Sequence, residues 1–217
     1  MDILFDLYGT LIDINTDEFS DDFWIEFAKN MNVSDYKKLK NDYYNTCAKY
    51  QKLKEELEIK DVFKDIVDYD VLEACLIFRK LSTKYICLYD GVVELLDELS
   101  KEHNLYVLSN AQASFTIPEL KELGIYDYFK DIAISSDYGI KKPNIMFFKE
   151  AINNFNLKDD IVMIGNDYEC DIKPAKKLGL KTVFIESNLT PLNECEDKIM
   201  GFNRLEILEK IKELENK

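Results

Sequence analysis

A rhythm of short apolar segments constrains this chain most. Segments 3–5, 105–108, 132–134, 161–164 and 182–185 are built largely from Ile, Val and Leu, each with the length of a buried strand. Helical periodicity borders the later ones, near 92–99, 117–123, 145–155 and 172–178. Strands that alternate with helices predict an α/β fold, a parallel sheet covered on both faces. The first interval breaks the rhythm. From about residue 16 to 85 no strand pattern occurs, and the amphipathic runs 19–31, 33–58 and 71–85 take its place. Aromatics recur there (Phe19, Phe23, Trp24, Phe27, Tyr43, Tyr44), as packed helices require. A crossover between parallel strands needs only about a dozen residues. The excess predicts an all-helical subdomain, residues 15–85, inserted into a core made of 1–14 and 86–217. No Gly or Pro occurs in the insert, so it is not a linker. Residues 205–214 read as an amphipathic surface helix.

Charge removes several function classes. With 28 basic and 42 acidic side chains the net charge is −14, spread along the chain. Such a chain repels nucleic acid phosphates, so no nucleic acid partner is expected. No apolar run is long enough to span a bilayer, so no membrane partner is expected either. The amino terminus has neither a basic region nor a cleavage site, which predicts a cytoplasmic protein. Five scattered cysteines suit reduced thiols rather than a disulfide framework or a zinc site. His103 is the only histidine, which leaves little room for a Ser-His-Asp triad.

Four clusters follow the predicted strands. Asp6 ends the first strand and turns through Gly9 to Thr10. A carboxylate at that end of a parallel sheet faces the crevice where ligands bind, and it is a possible nucleophile. Taken alone, it is equally a turn residue. Ser109 and Asn110 follow the second strand; the Ser109 hydroxyl is either a cap or a ligand for a bound oxygen. Lys142 stands before Pro143, where an ammonium would offset two oxyanions or else be solvated. Asn166, Asp167 and Asp171 follow the fourth strand, where acids either cap a helix or hold Mg²⁺. Their shared position after successive strands suggests convergence on one crevice.

With these residues in view, the chain resembles the haloacid dehalogenase superfamily in all four of its motif regions. They are Asp6-Leu7-Tyr8-Gly9-Thr10-Leu11, Ser109-Asn110, Lys142-Pro143 with Phe148 downstream, and Gly165-Asn166-Asp167 through Asp171. The resemblance implies a Rossmann-like core with a helical cap inserted after the first strand. It implies a hydrolase acting on a small-molecule substrate through a covalent intermediate on Asp6. Thr10, Ser109 and Asn110 would bind the transferred group, and Lys142 would compensate charge. Mg²⁺ would sit on Asp6, the Tyr8 backbone carbonyl and Asp167. Asn166 and Asp171 would be further ligands or would support them.

Tyr8 departs from the family's phosphatases, which usually carry an acid there for proton transfer; as the catalytic residue at that place, Tyr8 could donate a proton but is poorly suited to act as the base. Tyrosine at that place is similar to the 2-haloacid dehalogenases, whose halide leaving group needs no proton. Against that, the insert has no arginine before Arg79, Phe148 stands where those enzymes have tyrosine, and the fourth region is rich in acids. The expectation is therefore a Mg²⁺-dependent phosphatase. The alternatives are a metal-independent dehalogenase-like hydrolase and a catalytically silent binding protein of the same fold.

Overall fold

The computed structural model describes residues 1–216. Strand β1 (Asp2–Phe5) is followed by β2 (Ile12–Thr16). Four helices follow: α1 (Asp21–Asn30), α2 (Tyr36–Gln51), α3 (Ile59–Ile66) and α4 (Val71–Ser82). Strand β3 (Thr83–Leu88) then leads to α5 (Val92–Leu99), β4 (Asn104–Ser109), α6 (Ala113–Glu122) and β5 (Asp131–Ile134). A short α7 (Ser135–Tyr138) precedes α8 (Ile145–Asn154) and β6 (Ile161–Gly165). The helical turn Tyr168–Ile172 runs into α9 (Lys173–Lys177), before β7 (Lys181–Glu186), β8 (Ile199–Met200) and α10 (Arg204–Glu215).

Six strands form one parallel sheet in the order β5-β4-β1-β6-β7-β8. This is the expected α/β architecture. The central strand β1 pairs with β4 through Phe5–Val107 and with β6 through Phe5–Ile164. Alternate side chains of β1 point to opposite faces. Ile3 and Phe5 join a core with Leu95, Leu96, Ile207 and Ile211 from α5 and α10. Leu4 joins the other core, with Phe147, Phe148 and Ala151 of α8. Both faces are covered, as an all-parallel sheet requires.

The insert has its own apolar cluster, centred on Trp24, Phe27, Phe63 and Phe78, to which the core lends Phe115. Its helices differ from the expected runs in two ways. The run 33–58 ends at Gln51, and α3 follows as a separate helix. An antiparallel ribbon, β2 with β3, carries the chain out of the sheet and back. The expected boundaries at 14 and 86 therefore cut through both strands of this ribbon, and the insert is not purely helical at its stem. The ribbon's second strand was hidden because no Gly or Pro separates it from α4, so the helical pattern runs on into it. Among the described residues no helix is long and apolar enough to cross a membrane.

Candidate active site

All four clusters lie at the carboxyl edge of the sheet, where β1 meets its neighbours on either side. From β1 the chain builds outward to β4 and β5, then crosses back to β6 on the other side of β1, and such a switch point opens a crevice. Asp6 is anchored there by its main-chain N–H, which donates to the Ile164 carbonyl oxygen at 2.9 Å. The Leu7 carbonyl then accepts from the N–H groups of Thr10, Leu11 and Ile12, turning Thr10 back towards Asp6. Gly9 makes this turn with φ of +87°. A Cβ there would also sit 2.1 Å from Asn166 Nδ2, so backbone conformation and space both require glycine.

Asp6 is 7% exposed, and both its oxygens are held. The Thr10 hydroxyl donates to Oδ2 at 3.0 Å, and the Ser109 hydroxyl donates to Oδ1 at 3.3 Å. The Lys142 ammonium lies 2.8 Å from Oδ1. It also donates to the Leu108 carbonyl oxygen at 2.8 Å and forms an ion pair with Asp171 Oδ1 at 2.6 Å. Burial by itself would lower the Lys142 pKa. The carboxylates of Asp171 and Asp6 outweigh that and hold it above its ordinary value. Burial pushes the Asp171 carboxyl above its ordinary value, against the pull of Lys142. The second Asp171 oxygen accepts from the Asp167 N–H at 3.0 Å. A Cβ on Gly165 would lie 2.3 Å from this oxygen, so Gly165 lets Asp171 reach under the nucleophile.

Asn110 was expected to bind substrate. Both ends of its amide are instead spent on the Lys142 main chain, accepting from its N–H at 2.8 Å and donating to its carbonyl oxygen at 2.9 Å. It fixes the position of Lys142 while lining the cleft.

The fourth cluster divides its tasks. The Asn166 amide atom that faces the crevice lies 3.2 Å from both the Tyr8 carbonyl oxygen and Asp6 Oδ2. With nitrogen there, it donates to both. With oxygen there, it lies from each of those two oxygens at a separation close to the ~2.9 Å edge of a magnesium octahedron. Asp167 Oδ1 instead accepts from the Cys170 N–H at 2.9 Å, capping the helical turn. Asp6, Asp167 and Asp171 line a cavity of about 170 Å³ with Lys142 as its cation, three carboxylates against one ammonium. This donor set fits Mg²⁺, which takes oxygen ligands and favours anionic sites. Burial and Asp167 push the Cys170 thiol up to about 12, so it does not compete as a nucleophile near neutral pH.

Tyr8 points away from Asp6. Its hydroxyl donates to Glu119 Oε2 and shares a hydrogen bond of 3.0 Å with Thr116. Burial, and then the charge of Glu119, raise its pKa well above that of a free tyrosine. Glu119 also takes Arg79, with Nε at 2.5 Å from Oε1 and Nη2 at 3.4 Å from Oε2. The Arg79 guanidinium lies over the rings of Tyr8 and Phe115, 5.9 and 5.1 Å from their centroids. The sequence reading missed this group. Arg79 looked remote at the end of the insert, and α4 carries it back to the crevice. Glu119 left a faint signal, an acid beside Leu120 in an apolar helical period. Phe148 lies in the core and takes no part.

Comparison with known proteins supplies the context. Residues 3–185 match the family described as haloacid dehalogenase-like hydrolase. The glyceraldehyde 3-phosphate phosphatase of Methanothermobacter thermautotrophicus is 35% identical over 97 residues, 44% of this chain. The match spans only 43% of that relative's own length. The pyrimidine 5'-nucleotidase PynA of Streptococcus pneumoniae is 26% identical over 84% of this chain and 82% of its own. Among solved structures, the 2-haloacid dehalogenase of Pseudomonas syringae pv. Tomato superposes with a TM-score of 0.65, covering 97% of each chain at 19% identity. At that identity the likeness speaks for the fold alone.

Proposed function

This chain belongs to the haloacid dehalogenase-like hydrolases, and from that premise we propose that it is a Mg²⁺-dependent phosphatase of small phosphate monoesters working through Asp6. The observation that carries the reading is the Asn166 amide, 3.2 Å from both Asp6 Oδ2 and the Tyr8 carbonyl oxygen, in a cavity where acids outnumber cations. A phosphate dianion would be repelled from such a cavity, and a divalent cation reverses the sign of the local field. Bound there, Mg²⁺ would polarise the phosphoryl oxygens and screen them from Asp6. Asp6, the Tyr8 carbonyl and Asn166 would hold it. Asp167, the acid first expected in that role, lines the same cavity with Oδ1 spent on the Cys170 N–H.

Asp6 would attack phosphorus and expel the alcohol, and water would then cleave the acyl phosphate and restore the carboxylate. Lys142 would neutralise charge on Asp6 and the bound phosphate, and Thr10 and Ser109 would orient the carboxylate. The helical insert would cap the crevice over the leaving group. Tyr8 would be a wall rather than an acid, because its proton is committed to Glu119 and its pKa is raised. The leaving alkoxide would then draw its proton from solvent. Activated phosphates are expected to turn over faster than alkyl ones, since positioned proton transfer is worth about a hundredfold or more.

The same tyrosine is the observation that favours metal-free dehalogenation, in which no proton is needed. One assay separates the readings. Phosphate release from p-nitrophenyl phosphate and from alkyl phosphates, and chloride release from 2-chloropropionate, are measured with Mg²⁺ and with EDTA. The phosphatase reading expects phosphate release with Mg²⁺, abolished by EDTA, and a fall in kcat of about a thousandfold or more in Asp6→Asn. Chloride release in EDTA without phosphatase activity would overturn it. Wild type and Asp6→Asn equally inert on every compound would leave a binding protein.

A further inference from the structure

We propose that the leaving group of the substrate carries no negative charge of its own, and that Glu119 enforces this by neutralising Arg79. The inference rests on the phosphatase reading and narrows it to monoesters of uncharged alcohols, such as polyols, hydroxyaldehydes or nucleosides.

The space that would receive the leaving group is a cavity of about 360 Å³ between the insert and the core. Tyr8 and Asn110 line both this cavity and the one that opens on Asp6, so the two are neighbours. Arg79 is its one cation; Glu18 and Glu56 line it as well. In a phosphatase for a doubly anionic substrate, a free guanidinium at that place would bind the second carboxylate or phosphate. Here the fork of Arg79 is already occupied by both oxygens of Glu119. The Glu119 side chain is only 9% exposed and accepts from the Tyr8 hydroxyl too. A substrate anion that took Arg79 would strand this buried carboxylate, which opposes the exchange strongly. An anion that left the pair intact would meet Glu18 with no free cation in the cavity wall to offset it. Glu56 is already paired with Lys141 at 3.5 Å, so Glu18 carries the uncompensated charge of this wall. The rest of the wall suits an uncharged group, with Tyr43, Phe78 and Phe115 for apolar contact and Thr16 and Gln51 as polar groups at the rim.

The test uses two substrates of one carbon skeleton, glycerol 3-phosphate and 3-phosphoglycerate, which differ by a hydroxymethyl against a carboxylate. p-Nitrophenyl phosphate serves as the reference for the chemistry. Wild type is expected to favour glycerol 3-phosphate by about tenfold or more in kcat/KM, the scale of an uncompensated like-charge contact. In Glu119→Gln, Arg79 is released, and the ratio of the two kcat/KM values is expected to move towards 3-phosphoglycerate by about tenfold, mainly through KM. The double variant with Arg79→Gln and Glu119→Gln removes the pair as a unit and is expected to keep the wild-type preference. It also stands in if the single variant fails to fold. Equal or better use of 3-phosphoglycerate by wild type overturns the inference, as does a folded Glu119→Gln whose ratio is unmoved. A double variant that prefers 3-phosphoglycerate overturns it too. If p-nitrophenyl phosphate is turned over in these cases, the phosphatase reading survives and only the substrate class is wrong. If none of the three compounds releases phosphate, both fail.

Discussion

Lys142 is 2% exposed, and a buried ammonium survives only if each donor finds a partner. Asp6 and the Leu108 carbonyl accept hydrogen bonds from it, and the Asp171 carboxylate pairs with it at 2.6 Å. Two carboxylates share the one ammonium, so Asp6→Asn leaves Lys142 paired with Asp171, and the variant is expected to stay folded. Asn166 is the residue where the site departs most from a strong cation site. An amide gives Mg²⁺ a neutral oxygen, and affinity for hard cations grows with ligand charge. Asn166→Asp is therefore expected to lower the Mg²⁺ concentration for half-maximal phosphatase activity by about tenfold. It is also expected to destabilise the metal-free protein, because a further carboxylate then faces Asp6 at close range. An unchanged Mg²⁺ dependence would mean that residue 166 does not hold the metal.

Among the elements, the insert meets the core through α4, which packs on α6, and through the start of α3, which is hydrogen-bonded to the start of α6. Glu58, just before α3, is 3% exposed and serves the core. Its Oε2 accepts from the Ala113 N–H at 3.1 Å and from the Ser136 hydroxyl at 2.5 Å, while Oε1 accepts from the Ser114 hydroxyl. A carboxylate at the first turn of α6 also favours the helix dipole. Beside it, the Ile59 N–H donates to Gln112 Oε1 at 2.7 Å. Glu58→Ala leaves several buried donors without an acceptor, at a cost of about 1–3 kcal/mol. Its denaturation midpoint is expected to fall accordingly, and loop 52–58 is expected to be cut faster by protease. A variant as stable and resistant as wild type would show that the insert is held by its apolar contacts alone. This latch was not legible in the sequence. Glu58 reads as one acid among many in the run 55–61, and only the docking of insert on core separates it from its neighbours.

At the scale of the molecule, α10 closes the structure by packing on α5, near the start of β1. His103 is held there, its side chain 6% exposed and its Nε2 3.5 Å from Glu215 Oε1. Burial lowers its pKa below the ordinary histidine value. The unfolded chain then binds a proton at higher pH than the folded one. Stability from this group is complete above about pH 6.5, the unfolded value, and is lost as pH falls through it towards the folded value. The net charge of −14 acts in the opposite sense, since protonating carboxylates relieves repulsion. The difference between proteins isolates the histidine: between pH 7.5 and 5.5, wild type is expected to lose more stability than His103→Gln in urea denaturation. Parallel pH profiles would mean that His103 titrates alike folded and unfolded.

The sequence by itself determined the parallel sheet and the residues at the strand ends. Strand alternation and apolar period are local properties, and a strand that ends on Asp6 carries its carboxylate to the sheet edge whatever else the chain does. Tertiary structure decided what each of those residues does. It assigned Asn110 to the Lys142 backbone and Asp167 to a helix cap, and it brought Asn166 rather than Asp167 beside Asp6. It also joined Tyr8, Arg79 and Glu119, which lie up to 111 residues apart. The physical reason is that burial and partner distance, which set the charge and hydrogen bonding of a polar group, depend on neighbours that the order of residues does not supply.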